Sequence, residues 1–371
     1  MEAKGLMLFH TSPWNYNITG GSQEHPDLTN LKDKGVAIIG TGTTSVQDVP
    51  HLAKWAKHLY VIQRTPSYCG ERGQQETTPE SWSKVATGIG WQRRRMANLN
   101  SFLTANPEPI ADELRACIDR EVRDAATAEK LKPWYLGWCK RPTFNDDYLE
   151  TSNRRSNVTL VDTNGKGIDR YTERGLVVGG HELDIDVLVL ATGFTLDTHL
   201  APEDRVKAPI IGRSGRHLND KWDSLDFGTL FGVAVNGFPN LFAYFNAGSA
   251  SSYNFTSVLD ETACLIAHII TQATRESSRP ESLVIEASKE SEDKWTEEVM
   301  KRAGWYSALS TCTPSYFTAE GATLALQTPE QAKTASRKAA WGTGPDDYQR
   351  IVEEYKMRTE NKLEGFSVYK K

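Results

Sequence analysis

Residues 35–45 read Gly35-Val36-Ala37-Ile38-Ile39-Gly40-Thr41-Gly42-Thr43-Thr44-Ser45 and decide the fold. The apolar run between two glycines is typical of a central parallel strand, and the glycine-rich turn that follows opens a helix. The first turn glycine permits a tight bend, and the second lets the backbone approach a pyrophosphate at the helix N-terminus. The stretch therefore predicts dinucleotide binding, with a purely structural turn as the alternative. The predicted contacts are Gly40, Thr41, Gly42, Thr43, Thr44 and Ser45.

The strand that follows this turn selects the nucleotide. Apolar residues at helical spacing predict a helix over residues 45–57, and residues 58–63 form the second predicted strand. An acidic residue at the end of that strand would bind the ribose hydroxyls of NAD, but this chain has Gln63-Arg64-Thr65. A guanidinium at this place suits a 2′-phosphate, so Arg64 and Thr65 predict NADPH. The alternative is an arginine that only caps the strand end.

Composition places the chain among ordinary globular proteins. Its 371 residues allow two domains, with 39% hydrophobic and 25% charged residues. A net charge of −5 without a basic stripe argues against nucleic acid as a partner. The five cysteines are dispersed without metal-ligand spacing, which predicts reduced thiols and no metal site. Because Glu2 and Lys4 lead directly into a mixed segment, no signal peptide is expected, and the predicted location is cytoplasmic.

Residues 227–259 contain no charged side chain and are long enough to span a membrane. The segment includes Pro239, four asparagines and several glycines, so buried strand and loop lining a pocket are expected instead of a membrane span.

The remaining segments complete the predicted order of elements. Residues 76–132 have a strongly helical composition and predict an inserted helical cap. Within it, Arg93-Arg94-Arg95 is interpreted as a solvated helix face, with a phosphate contact as the alternative. Strands are predicted over 158–161, 175–178 and 187–190, with Gly179-Gly180 as the turn between the last two. Further helices are expected over 255–277 and in the tail from Pro329.

Three motifs carry a resemblance to a known family. His10 and Trp14 fit a His-x-x-x-Trp signature, Cys139-Lys140-Arg141-Pro142-Thr143-Phe144-Asn145-Asp146-Asp147-Tyr148-Leu149-Glu150 fits a Lys-Arg-Pro loop, and Ala191-Thr192-Gly193-Phe194 follows an apolar strand. From about His10 to its C-terminus the chain resembles the flavin-dependent Baeyer–Villiger monooxygenases, particularly those of fungal secondary metabolism. The upstream half of the signature departs from the family, because Lys4 and Leu6 stand at its Phe and Gly positions. Asn15 also replaces the usual last residue.

The resemblance implies a role for each motif. Arg141 would be the catalytic residue, with Lys140 as a second phosphate contact, and a structural Arg141 in a buried ion pair is the alternative. A fixed cation would stabilise the anionic oxygenating group and the tetrahedral adduct, and arginine keeps its charge where lysine can lose it. Ala191, Thr192 and Gly193 would form a turn against the cofactors, and His10 and Trp14 would link two cofactor domains or only pack a linker. Trp305 would line the substrate pocket, with core packing as the alternative.

The expected fold class is α/β with a two-dinucleotide-binding flavoprotein architecture. It would comprise an NADPH-binding Rossmann domain with a helical insertion and an incomplete FAD domain. The predicted divisions are a linker at 1–24, the NADP domain at 25–185 and the FAD and substrate region at 186–371. No flavin fingerprint precedes residue 35, so the expectation is a fragment, a truncated product or a second chain that supplies the flavin segment.

The implied activity uses FAD, NADPH and O₂ to convert a small-molecule ketone to an ester or lactone, in polyketide or terpenoid metabolism. The alternatives are a catalytically silent NADP-binding remnant and oxidation of a heteroatom.

Overall fold

The apolar run of the quoted stretch is the middle strand of a five-stranded parallel sheet in the computed structural model of the protein. Its residues Val36, Ala37 and Ile38 are fully buried, as expected for a strand covered on both faces. The structure describes residues 5–96, 107–137, 139–154, 156–194, 200–252, 254–275, 282–304, 312–315, 318, 321, 328–358 and 362–370.

The strands are numbered in chain order, and they form both parallel and antiparallel pairs. They are β1 Met7–His10, β2 Gly35–Ile39, β3 His58–Gln63, β4 Cys69–Gly70, β5 Thr143–Phe144, β6 Val158–Asp162, β7 Arg170–Thr172, β8 Gly175–Val178, β9 His181–Asp184, β10 Val187–Leu190, β11 Leu283–Ala287 and β12 Phe366–Lys370. The helices are α1 Tyr16–Thr19, α2 Thr43–Trp55, α3 Pro79–Val85, α4 at residues 91–96, α5 Pro107–Glu121, α6 Ala125–Leu131, α7 Tyr148–Arg154, α8 Pro202–Val206, α9 Leu218–Trp222, α10 Phe255–Arg275, α11 Lys289–Arg302, α12 Pro329–Arg337 and α13 Pro345–Arg358.

The main sheet has the strand order β1-β10-β2-β3-β6, and every neighbouring pair is parallel. Helix α2 connects β2 to β3 and packs its apolar face, including Val46, Val49 and Leu52, into the core beneath the sheet. Strands β3 and β6 follow on one side of β2 and β10 lies on the other, so the order of successive strands reverses between β2 and β10. The α/β class with a parallel sheet is confirmed.

The region after β6 corrects one part of the predicted pairing. The Gly179-Gly180 turn joins β8 to β9, which are antiparallel, and β9 was missed because His181–Asp184 is largely polar and exposed. Strands β7, β8 and β9 form a separate three-stranded sheet, and only afterwards does the chain enter β10 of the main sheet.

By compactness the described residues fall into two units. Unit 1 comprises 1–76 and 106–195, and unit 2 comprises 77–105 and 196–371. The predicted functional divisions at 1–24, 25–185 and 186–371 stay predictions, and the compact units divide the chain at other positions. Strand β1 pairs with β10, so part of the predicted linker and the start of the predicted flavin region belong to one sheet.

The described part of the predicted insertion is helical, but it does not act as one element. Helices α3 and α4 belong to unit 2, whereas α5 and α6 belong to unit 1. The interpretation of Arg93 as part of a solvated face is wrong, because its guanidinium pairs with Glu261 of α10 and with Glu353 of α13 at 2.5 Å. Arg94 instead binds the carbonyl oxygens of Thr87 and Ile89 in the preceding turn.

Unit 2 is built around helix α10 and the antiparallel pair β11-β12. The uncharged segment 227–259 is mostly buried loop with isolated bridges up to Phe242, and its last residues form the start of α10. Beside it, the Lys221 ammonium and the Glu292 carboxylate form a fully buried ion pair with N–O distances of 2.9 Å. Among the described residues, no helix has the length and apolar character needed to cross a membrane.

The cysteines divide into two groups. Cys69, Cys117 and Cys264 carry thiols, as expected. Cys139 and Cys312 are not among the free cysteines of the described residues, so the expectation of reduced thiols is not confirmed for these two.

Candidate dinucleotide-binding site

Most of the predicted cofactor residues lie at the carboxyl edge of the main sheet. Gly40 follows β2, Arg64 follows β3, Ala191 follows β10, and His10 ends β1. Since these four strands are parallel and adjacent, their carboxyl ends meet at one edge. The order of successive strands reverses between β2 and β10, which is where open α/β sheets form a ligand crevice.

The glycine turn is shaped by close backbone packing. Gly40 has a φ of +114°, and a Cβ built on it would overlap the carbonyl oxygen of Ala191. Only glycine therefore fits this position without a backbone shift. Gly42 has an ordinary φ of −78°, and nothing lies within 4 Å of a Cβ built there. The space beside Gly42 is therefore open to a ligand. Gly40 is required by close backbone packing, whereas Gly42 leaves room for a ligand.

Helix α2 presents an uncapped N-terminus at this opening. No side chain caps the helix, and its first turn contains no acidic residue. The first N–H groups of a helix have no intrahelical acceptor, so they and the helix dipole favour a bound anion. Thr43 and Thr44 are exposed, whereas Ser45 is fully buried and packs close to Gly40. The residues present therefore fit a dinucleotide pyrophosphate.

The loop after β3 is tied to the glycine turn. The Thr41 hydroxyl donates to the carbonyl of Thr65 at 2.8 Å, and the Ser67 hydroxyl donates to the carbonyl of Thr41. Arg64, just before Thr65, is exposed at the same edge. The structure therefore brings the predicted pyrophosphate and 2′-phosphate residues together through Thr41.

The predicted catalytic loop is anchored next to this one. Strand β5 pairs with β4 in parallel, and Thr143 donates its backbone N–H to the carbonyl of Tyr68 at 2.8 Å. Arg141 lies two residues before Thr143 and is exposed, which argues against the alternative of a buried ion pair. The ammonium of Lys140 lies 5.6 Å from the ring centroid of Tyr135.

His10 and Trp14 have different environments. The His10 imidazole Nε2 lies 3.3 Å from the carbonyl oxygen of Gly193, at the predicted turn after β10. Trp14 packs edge-on against Phe9 at 5.3 Å and donates its indole N–H to the hydroxyl of Thr19 at 3.0 Å. His10 therefore lies at the strand edge with Gly193, while Trp14 packs against the core. Thr192 is exposed beside them, and Trp305 lies outside the described residues.

Two carboxylates near the site were not predicted. Asp146, inside the quoted Lys-Arg-Pro motif, accepts backbone N–H groups from Arg72, Gly73 and Gln74 at 2.7–2.8 Å, which lowers its pKa. Asp48, one turn after Ser45 in α2, is half-buried, and the burial of its carboxyl raises its pKa to about 6. An acidic residue among apolar helix positions was the available sequence signal for Asp48.

Comparison with known proteins shows which enzymes this chain is similar to. A polycyclic ketone monooxygenase of Thermothelomyces thermophilus is 39% identical over 413 residues, covering 97% of this chain and 62% of that protein. The solved structure of the polycyclic ketone monooxygenase from this thermophilic fungus matches with a TM-score of 0.89 at 38% identity, over 99% of this chain and 64% of that chain. These matches extend over nearly the whole of this chain and bear out its resemblance to the flavin-dependent Baeyer–Villiger monooxygenases. An FAD-binding monooxygenase of Penicillium brasilianum is 37% identical across 96% of this chain and 62% of its own length.

A more distant solved structure shares the fold. A steroid monooxygenase bound to NADP matches with a TM-score of 0.72 at 24% identity, over 98% of this chain and 70% of that one. No family model matches the chain.

The chain spans about three fifths of the length of the curated relatives described above, because the match covers 62% of each of those proteins. In these relatives the matching region is part of one longer chain. The expectation that a second chain supplies the flavin segment is therefore not supported.

Proposed function

We propose that this chain binds NADPH at the carboxyl edge of its main sheet, as part of an oxygenase that converts a ketone to an ester or lactone. The observation that carries the binding proposal is the open, uncapped turn from Gly42 into α2, joined through Thr41 to the loop of Arg64. The turn offers N–H groups to the pyrophosphate, and Arg64 offers a planar cation to the 2′-phosphate.

The resemblance to this family supports the reaction type. Bound FAD, reduced by NADPH, would supply the chemistry that activates O₂ in this family. The exposed guanidinium of Arg141 would hold a permanent positive charge where negative charge develops on the reacting oxygens. The name of the 39% identical relative makes a polycyclic ketone the first substrate class to test. Polyketide or terpenoid metabolism and a cytoplasmic location stay predictions from the sequence.

Nucleotide binding is tested first because it does not require turnover. Titration calorimetry of the purified chain with NADPH and with NADH should give tighter binding of NADPH. The variant Arg64→Gln should lose about tenfold in NADPH affinity, equivalent to ~1.4 kcal/mol, and should bind NADH as before. Equal binding of the two nucleotides by the unmodified chain would contradict the proposal.

Flavin binding and oxygenation form a second experiment. The visible absorbance after incubation with FAD and desalting should show retained flavin, and a polycyclic ketone should then give an ester or lactone with uptake of O₂. Arg141→Ala should abolish ester formation while NADPH binding persists. NADPH binding without flavin or O₂ uptake would favour the silent remnant, and oxidation of a thioether in place of the ketone would favour heteroatom chemistry.

A further inference from the structure

Tyr135 is a buried side chain that contacts both predicted phosphate-binding loops. It is 4% exposed, and its hydroxyl donates to the carbonyl oxygen of Pro66 at 2.8 Å. The Lys140 ammonium lies 5.6 Å from its ring centroid. Its own backbone carbonyl accepts the Tyr68 hydroxyl at 2.5 Å and the Arg115 guanidinium at 3.3 Å. The side chain therefore joins two loops that are far apart in sequence, and its backbone is itself fixed.

The loop that carries Arg64 is held on its other side by the glycine turn. Thr41 binds the carbonyl of Thr65 through its hydroxyl, and its own carbonyl accepts the hydroxyl of Ser67. Pro66, between these two residues, is held by Tyr135. Three consecutive residues after Arg64 are thus fixed, and Tyr135 supplies the contact from the side of Lys140.

We propose that Tyr135 is a positioning residue for the 2′-phosphate of NADPH, acting through Arg64 on one side and Lys140 on the other. The inference rests on the proposed NADPH binding and deepens it. Lysine loses substantial side-chain conformational entropy when it is immobilised on a ligand, and packing against the Tyr135 ring restricts it in advance. The hydrogen bond to Pro66 fixes the backbone from which Arg64 projects.

Two substitutions separate these contributions. Tyr135→Phe removes the hydrogen bond to Pro66 and keeps the ring beneath Lys140. Tyr135→Leu removes both. The matched control is Tyr348→Phe in unit 2, because Tyr348 is 1% exposed and its hydroxyl also donates to a backbone carbonyl, that of Phe231, at 2.7 Å.

The measurement is the ratio of the NADPH and NADH dissociation constants, determined by titration calorimetry on the whole chain. Without this hydrogen bond the Pro66 carbonyl is no longer fixed and the backbone that carries Arg64 can move, so Tyr135→Phe should raise the dissociation constant for NADPH about five- to tenfold. Tyr135→Leu should raise it further. Binding of NADH, which has no 2′-phosphate, should stay within about twofold in both Tyr135 variants. Tyr348→Phe should leave the ratio unchanged, because its hydroxyl contacts the Phe231 carbonyl and neither loop of the proposed site.

The alternatives give different results. If Tyr135→Phe weakens NADPH and NADH binding in equal proportion, its role is structural and the inference is wrong. An unchanged ratio in Tyr135→Phe and Tyr135→Leu, with an unmodified chain that prefers NADPH, would refute the inference and leave the proposed function standing. An unmodified chain without that preference would overturn both.

Discussion

Asp48 gives a direct test of how burial acts on a charge beneath the glycine turn. The residue lies in α2, its Oδ2 is buried, and that atom has no hydrogen-bond partner among the described residues. Burial raises its pKa from 3.8 to about 6, since the charged form loses hydration without a compensating contact. The folded state therefore binds the proton more tightly than the unfolded state, and Asp48 lowers stability as pH rises from about 4 to 6.

The size of the effect follows from this shift. A change from 3.8 to about 6 corresponds to at most about 3 kcal/mol when the carboxyl is fully ionised in both states. Linkage gives about 1 kcal/mol of this cost at pH 4.5, because the unfolded carboxyl is then already mostly ionised. The difference between pH 4.5 and pH 7.5 is thus about 2 kcal/mol, and residual solvent contact reduces it to about 1–2 kcal/mol.

Asp48→Asn removes the titration and keeps the shape of the side chain. The free energy of unfolding should be measured by urea denaturation at both pH values, followed by circular dichroism, for the unmodified chain and the variant. Relative to the unmodified chain, the variant should be about 1–2 kcal/mol more stable at pH 7.5 than at pH 4.5. The comparison between two pH values cancels any constant cost of burying the new amide.

The control is Asp33→Asn, because the Asp33 side chain is 78% exposed. It should show a much smaller dependence on pH. If Asp48→Asn and Asp33→Asn behave alike, burial does not govern the Asp48 carboxyl, and the reasoning fails.

Three further predictions test the site and the core. Gly40→Ala should lower the free energy of unfolding by about 1–3 kcal/mol, because φ is +114° and the added Cβ meets the Ala191 carbonyl, and thermal melting checks this. Gly42→Ala should lower the free energy of unfolding by less than about 1 kcal/mol, because its Cβ meets no protein atom within 4 Å. The same change should weaken NADPH binding about tenfold, because the Cβ projects where the pyrophosphate would lie. A loss of folding free energy as large as the loss of binding free energy would contradict this prediction. Lys221→Met should lower stability by about 3–5 kcal/mol, because buried Glu292 would keep only the Asn236 N–H and a longer contact to Lys289 at 3.4 Å. Adding Glu292→Leu should recover part of this loss in urea denaturation.

Local chemistry explains which parts of the fold could be predicted. The run from Val36 to Ile39 has the apolar pattern of a buried strand, and the turn at Gly40 follows it directly in the sequence. Because these signals lie in neighbouring residues, β2, α2 and β3 were predictable. Strand β9 was not, because His181–Asp184 has an exposed, polar face and is held mainly by pairing with β8. The interpretation of Arg93 as part of a solvated helix face was wrong for a related reason, because its partners Glu261 and Glu353 are distant in sequence.

The sequence by itself determined the resemblance to flavin-dependent monooxygenases, the α/β class and the residue types predicted to approach a dinucleotide, because these depend on short motifs whose chemistry is local. Only the tertiary structure decided that the Ala191 carbonyl leaves no room for a Cβ on Gly40. It also decided that Thr41 holds the loop of Arg64 and that Tyr135 joins this loop to Lys140. These contacts connect residues separated by many positions in the chain. No pattern within one segment specifies them, since their geometry is set by the order and register in which the parallel strands pack.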